Sequence, residues 1–190
     1  MSKHFDPTRL PAASDLPAGV VLRPLVRHSD ERGSLVEMFR GTWRDDLRPV
    51  QWNASSSGPG VLRGVHVHAV HTDYLTVVAG SMLLGLSDIR PDSPTRGHSV
   101  LLRLESAAPQ AVVIPPGVAH GFYFDEPSLH IYGVTAYWDP DDELGCRFDS
   151  PELGLEWPDP SPRLSARDAA AGSYAAMLDA YRTAAARKAR

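Results

Sequence analysis

Residues 60–73 read GVLRGVHVHAVHTD, a strand pattern unusually rich in polar side chains. His66 and His68 lie two residues apart, so in an extended strand both side chains point to the same face. Arg63 points to the opposite face unless Gly64 introduces a bulge. A single histidine is usually a structural residue, but two histidines on one face favour a polar site. We therefore expect this strand to line such a site.

The sequence on both sides of this strand consists of short apolar runs separated by turns rich in glycine and proline. None of these runs has helical spacing, and Tyr74–Leu86, with Gly80 in the middle, is typical of a β-hairpin. The other strand-like runs are Val20–Val26, Val100–Leu104, Ala111–Ile114 and Leu129–Tyr137. Short strands repeated in this way predict an all-β sandwich or barrel.

The composition changes near the C-terminus to an alanine-rich segment. Between Tyr174 and Tyr181 the larger apolar residues recur three and four positions apart, which predicts an amphipathic helix over about residues 168–188. The chain has no internal repeat. We expect one domain over residues 1–190, with its core at about residues 20–160.

The composition excludes several classes of function. The chain has 190 residues, 43% of them hydrophobic, and a formal net charge of -4, which argues against nucleic-acid and membrane partners. A single cysteine, Cys146, excludes intramolecular disulfides and cysteine-rich metal clusters. The two lysines, Lys3 and Lys188, lie near the chain ends, which argues against a Schiff-base or phosphate-loop lysine. Residues 1–10 lack an apolar signal core, so we expect a cytoplasmic protein.

Six segments, in unbroken order between about Leu22 and Asp168, resemble the motifs of one family. The family is that of the dTDP-4-dehydrorhamnose 3,5-epimerases, which belong to the cupins. The matching segments are DERGSLVEMF (30–39), QWNAS (51–55) with GVLRGVH (60–66), DIR (88–90), IPPGVAHGF (114–122), FDSPELGLEWP (148–158) and LSARD (164–168). Six motifs in the family's order make a specific resemblance.

The resemblance implies a double-stranded β-helix of the cupin jelly-roll type with a C-terminal helix. It also implies epimerisation of a nucleoside-diphosphate 4-keto-6-deoxy sugar, by removal and return of a proton α to the ketone, without a cofactor. By position in the family motifs, His66 is the base, Asp168 orients it, and Tyr132 is the acid on the other face of the sugar. This assignment suits the chemistry, because a histidine paired with a carboxylate is a base for neutral pH.

The resemblance further implies that a nucleotide-sugar substrate binds to Arg32, Glu37, Asn53, Arg63 and His120. Arginine forks suit a pyrophosphate group, since a guanidinium can donate two parallel hydrogen bonds. The family also suggests a homodimer.

The sequence departs from the family where a lysine is expected to stabilise the enolate. Asp73 occupies that position, and His68 occupies the position of a glutamine. Replacing a cation by an anion hinders the formation of a nearby negative charge.

The same departures support a second interpretation. His66, His68, Asp73 and His120 fit the spacing of a metal-binding cupin, with Asp73 in place of the usual glutamate. Three imidazoles and one carboxylate are ligands for iron, manganese, nickel or zinc, so the alternative is an enzyme that depends on a divalent transition metal. A third interpretation is a non-catalytic sugar-binding cupin.

Overall fold

The computed structural model describes residues 13–43 and 46–188. The strands are β1 (Val21–Pro24), β2 (Arg27–Asp30), β3 (Gly33–Val36), β4 (Gln51–Ser57), β5 (Val61–Val67), β6 (Asp73–Ala79), β7 (Ser81–Asp88), β8 (Ser99–Glu105), β9 (Gln110–Ile114), β10 (Val118–Phe124), β11 (Ser128–Val134) and β12 (Leu144–Gly145). The helices are α1 (Ala166–Ala169) and α2 (Tyr174–Lys188). Short 3-10 turns occupy Ala13–Asp15, Pro140–Asp142 and Pro151–Leu153.

Two antiparallel five-stranded sheets form a sandwich. The first sheet has the strand order β1-β9-β6-β11-β4 and the second has the order β12-β5-β10-β7-β8. Strands β2 and β3 form a separate two-stranded hairpin. The mainly β cupin sandwich with a C-terminal helix confirms the fold class predicted from the sequence.

The predicted hairpin over Tyr74–Leu86 is wrong. Both strands exist and the chain turns at Gly80, but β6 pairs with β9 and β11 whereas β7 pairs with β8 and β10. The turn therefore carries the chain from one sheet to the other. Residues on both faces of the two strands are buried. The sequence therefore lacks the alternation of apolar and polar residues that marks a hairpin with one exposed face.

Apolar side chains from both sheets fill the space between them. Leu75 of β6 packs in one cluster with Leu84 of β7 and Phe124 of β10. Each of these side chains is at most 1% exposed, and burying one stabilises the fold by about 1.5–3 kcal/mol.

The C-terminal segment covers the outer face of the second sheet. Met177 and Tyr181 of α2 are buried in a second cluster with Val65 and Val67 of β5. The predicted helix over about residues 168–188 is interrupted, since α1 ends at Ala169 and α2 begins at Tyr174. The interruption separates the short helix α1, which contains Asp168, from the longer helix α2, which packs on the sheet.

Within the described residues, no helix combines the length and the apolar character needed to cross a bilayer. Residues 1–10, on which the prediction of a cytoplasmic location depends, lie outside the described residues.

Candidate active site

A cavity of about 410 Å³ opens between the two sheets. The second sheet contributes His66 from β5 and His120 from β10, and the first contributes Asn53 from β4 and Tyr132 from β11. Six of the eight site residues predicted from the sequence line this cavity, namely Asn53, Arg63, His66, His120, Tyr132 and Asp168.

Strand β5 contains a bulge at Gly64, which the sequence allows but does not establish. The pairing of β5 with β10 shifts between His66 opposite His120 and Arg63 opposite Phe122. Gly64 lies in the shifted segment with a φ of +117°, and an added Cβ would lie 2.8 Å from the Cα of Gly121. Glycine is therefore required here, and the bulge allows Arg63 and His66 to line the same cavity.

His66 and Asp168 form a hydrogen-bonded pair. Nε2 of His66 lies 2.7 Å from Oδ1 of Asp168, and the two side chains are 16% and 6% exposed. Burial raises the pKa of Asp168, but the hydrogen bond and charge of His66 outweigh it, and the pKa lies below its ordinary value. The carboxylate therefore stays ionised and can hold the imidazole in one orientation.

The C-terminal segment delivers Asp168 to this position. The backbone N–H of Leu62 donates to the carbonyl of Arg163, and the N–H of Arg163 donates to the carbonyl of Gly60, so the segment runs beside β5. Ser165 then caps α1, because its Oγ accepts a hydrogen bond from the N–H of Asp168 at 3.1 Å.

Tyr132 approaches the cavity from the opposite sheet. Burial raises the pKa of the Tyr132 hydroxyl, and the carboxylates of Asp73 and Glu143 raise it further. The phenol is therefore protonated at neutral pH and can serve as a proton donor.

Arg63 is held at the cavity by two hydrogen bonds. Its Nε donates to Oγ of Ser57 and its Nη2 donates to the carbonyl of Ser56, both at 2.9 Å. These contacts leave further guanidinium donors of Arg63 available to an anionic ligand.

Arg32 and Glu37 do not line the cavity of their own chain. Arg32 is exposed in the turn between β2 and β3 and pairs with Asp30 at 2.5 Å, and Glu37 pairs with Arg40. Their role in substrate binding stays a prediction.

A buried cluster of histidines and carboxylates lies in the same cavity. His68, Asp73 and His120 have potential ligand atoms within 4.8 Å of one another. His66, the fourth ligand in the metal interpretation, is not part of this group and pairs with Asp168 instead. The four-residue metal site predicted from the sequence is therefore formed only in part.

Burial controls the charges in this cluster. Burial and the proximity of His71 lower the pKa of His68 to about 3, and burial and the proximity of His68 lower that of His120 to about 3. Burial and the nearby carboxylate of Glu143 raise the pKa of Asp73 to about 7. Both imidazoles are thus neutral at pH 7.

Several residues of the site were missed from the sequence. Nη2 of Arg167 lies 2.7 Å from Nε2 of His66, and Nη1 of Arg167 donates to Glu143 at 2.9 Å. His71 stacks on His68 with ring centroids 3.9 Å apart. His71 lies beyond the end of β5, so strand alternation does not predict that it meets His68, and Arg167 and Glu143 meet only through the tertiary fold.

The comparisons with known proteins agree on one family. A family model described as dTDP-4-dehydrorhamnose 3,5-epimerase matches residues 15–176. The dTDP-4-dehydrorhamnose 3,5-epimerase of Mycobacterium tuberculosis is 33% identical over 172 residues, which cover 84% of this chain and 85% of that protein.

Solved structures that resemble this chain are also sugar epimerases. NovW, described as a 4-keto-6-deoxy sugar epimerase from Streptomyces spheroides, has a TM-score of 0.79 and 31% identity, covering 90% of this chain and 88% of that one. ChmJ, described as a 3'-monoepimerase from Streptomyces bikiniensis in complex with dTDP-quinovose, has a TM-score of 0.78 and 29% identity, covering 89% of both chains. With its cupin sandwich and its paired histidine and aspartate, the chain belongs to the dTDP-4-dehydrorhamnose 3,5-epimerase family of sugar-nucleotide epimerases.

Proposed function

We propose that His66, Asp168 and Tyr132 catalyse the epimerisation of a dTDP-4-keto-6-deoxy sugar at C3, or at C3 and C5. The observation that carries this proposal is the arrangement of the cavity. A histidine hydrogen-bonded to a buried carboxylate lies on one sheet, and a protonated tyrosine lies on the other. A proton can thus leave one face of a sugar ring and return to the opposite face.

The ketone at C4 makes the protons at C3 and C5 acidic, because the negative charge left by proton removal spreads onto the ketone oxygen as an enolate. With the Nε2 hydrogen of His66 donated to Asp168, Nδ1 is the basic atom that takes the proton. Asp168 stabilises the imidazolium that results. Tyr132 then donates its hydroxyl proton to the opposite face of the carbanion. Exchange with solvent afterwards returns a proton to the phenolate and removes one from the imidazolium of His66.

Substrate binding in this proposal uses Arg63, Asn53 and His120 inside the cavity. The guanidinium of Arg63 is already oriented by Ser56 and Ser57, so it can bind a phosphate or carbonyl oxygen with little loss of side-chain entropy.

We further propose that the protein is a homodimer. Val26 and Leu35, next to and within the β2–β3 hairpin, are 66% and 62% exposed, which is costly for aliphatic side chains on a free surface. Arg32 and Glu37 belong to the same segment and lie outside their own cavity. A second copy whose cavity receives this segment accounts for both observations.

The cytoplasmic location stays a prediction.

The test is the stereochemical outcome with a dTDP-4-keto-6-deoxyglucose as substrate. Nuclear magnetic resonance of the product is expected to show inversion at C3, or at C3 and C5. The matched control is dTDP-glucose, which lacks the ketone and therefore lacks an acidic proton. Substrate recovered without inversion, under conditions in which an authentic family enzyme inverts it, would refute the proposed function.

A further inference from the structure

Three imidazoles in the cavity each have one ring nitrogen already in use. Nδ1 of His68 lies 3.0 Å from the backbone carbonyl of Asp142, and Nδ1 of His120 lies 3.1 Å from the backbone carbonyl of Val118. Because a carbonyl oxygen can only accept a hydrogen bond, Nδ1 of both rings carries the hydrogen. Nδ1 of His71 faces the side-chain carboxylate of Asp142 at 3.2 Å. Nε2 of His68 and Nε2 of His120 are therefore each left with a free lone pair.

The three Nε2 atoms converge on the carboxylate of Asp73. The distances to its oxygens are 3.9 Å from His68, 3.8 Å from His71 and 3.9 Å from His120. These distances exceed the length of a hydrogen bond, and no described residue donates one to this carboxylate, whose side chain is only 9% exposed. The free lone pairs of His68 and His120 thus face the carboxylate of Asp73 across a gap.

The size of that gap fits a metal ion. An ion that binds nitrogen and oxygen ligands at about 2.0–2.2 Å places them roughly 3–4 Å apart. We propose that His68, Asp73 and His120 bind a divalent first-row transition metal, with His71 next to the second carboxylate oxygen and open coordination positions facing the cavity.

Groups around the proposed ligands fix the orientation of the ligand side chains, as in known metal sites. Ligating histidines usually donate their other N–H to a carbonyl or a carboxylate, which fixes the ring and its tautomer. Asp142 supplies such contacts to His68 through its carbonyl and to His71 through its carboxylate. The carboxylate of Asp142 is itself fixed by the N–H groups of Ala69 and Val70, at 2.7 Å and 3.2 Å.

The catalytic use of this ion rests on the proposed epimerase function, whereas the binding site does not. A divalent ion bound by one carboxylate and neutral imidazoles leaves a net charge of about +1 facing the cavity. That is the sign needed to polarise a ketone and to stabilise the oxygen of an enolate. The ion would thus offset the unfavourable charge of Asp73, while His66 remains free to act as the base.

The test measures metal binding without any substrate. Full-length protein treated with a chelator is titrated with Co²⁺ and followed by visible absorption and calorimetry. We expect one Co²⁺ per chain, and Zn²⁺ should displace it. Asp73→Asn and His120→Gln should weaken binding by about 100-fold or more. Asp142→Asn should weaken it by less than about 10-fold, because the backbone carbonyl that fixes His68 is unchanged.

Two matched variants complete the design. His66→Asn removes a histidine from the same cavity and His28→Gln removes an exposed one, and both should keep the wild-type affinity for Co²⁺. Should the ligand variants fold poorly, X-ray absorption on the Zn²⁺-loaded wild type should show nitrogen and oxygen neighbours at about 2.0–2.2 Å.

Wild-type protein that binds no Co²⁺, or that binds it as tightly as Asp73→Asn and His120→Gln do, would overturn the proposal. Loss of binding in His66→Asn would also overturn it, in favour of a site built on that residue. These results are distinguishable from a failure of the proposed epimerase function, which is judged separately by inversion of the sugar.

Discussion

Nε2 of His66 lies close to both a hydrogen-bond acceptor and a hydrogen-bond donor. Oδ1 of Asp168 and Nη2 of Arg167 both lie 2.7 Å away, and only the carboxylate can accept a hydrogen from this nitrogen. The pairing with Asp168 favours the tautomer with its hydrogen on Nε2, which the proposed mechanism requires. Arg167 pairs with two carboxylates: its Nη1 lies 2.9 Å from Oε2 of Glu143, and its Nε lies 3.6 Å from Oδ1 of Asp168.

We predict that Asp168→Asn lowers kcat by about 10²–10⁴-fold with little change in KM, because the amide can present its N–H to the ring and favour the wrong tautomer. Steady-state kinetics with the keto sugar nucleotide measures this effect. Asp179→Asn on the exposed face of α2 is the control and should keep the wild-type rate. A rate for Asp168→Asn within a factor of two of wild type would remove Asp168 from the mechanism.

The roles of these single residues were only partly accessible from the sequence. The spacing of His66 and His68 predicts that both line one site, whereas the sequence leaves open whether Gly64 introduces the bulge that adds Arg63. Only the family resemblance predicts the role of Asp168, since about 100 residues of chain separate it from His66 and no local pattern connects them.

Among the structural elements, the end of β7 shows how a turn is held by charge. Oδ2 of the buried Asp88 accepts hydrogen bonds from Arg90 at 2.7 Å and from Ser93 and Thr95 at 2.6 Å. Burial raises the pKa of Asp88, but these hydrogen bonds outweigh it and lower the pKa from 3.8 to about 2. The turn therefore depends on an ionised carboxylate.

We predict that Asp88→Asn destabilises the protein most at neutral pH. Because the pKa is depressed in the folded state, the ionised carboxylate contributes stability above about pH 3.8, and this contribution is lost as the pH falls toward about 2. The pH-dependent part is about 2 kcal/mol. Urea unfolding of both proteins between pH 7 and pH 3 should show the difference in free energy shrinking as the pH falls. A constant difference would show that the charge of Asp88 is not what holds the turn.

The turn at Gly80 shows that apolar patterns in the sequence can predict strands correctly and their pairing wrongly. Most of the predicted strands exist, but the sequence predicts one hairpin around Gly80, whereas the two strands that flank Gly80 belong to different sheets. A tight turn and two apolar flanks look the same in the sequence whether the strands pair edge to edge or pack face to face. The distinction depends on strands β9 and β11, which are remote in the sequence.

In the molecule as a whole, the exposed β2–β3 hairpin is the feature that the single chain leaves unexplained. If a second copy covers it, Leu35→Glu should convert a dimer, of twice the 20.7 kDa of one chain, into a monomer. Light scattering coupled to gel filtration measures this, and Ala175→Glu on the exposed face of α2 should stay dimeric. Activity should fall together with dimerisation, since Arg32 lies at the tip of the same hairpin. A monomeric wild type with full activity would refute the dimer.

Removal of the proton next to the ketone by His66 is the central step of the proposed mechanism, and deuterium exchange in heavy water measures that step directly. The wild type should introduce deuterium at C3, or at C3 and C5, of a dTDP-4-keto-6-deoxyglucose, and His66→Asn should introduce none. Tyr132→Phe should exchange without inversion, because His66 can return deuterium only to the face from which it took the proton. Exchange by His66→Asn at the wild-type rate would contradict the mechanism, because another base would then be acting.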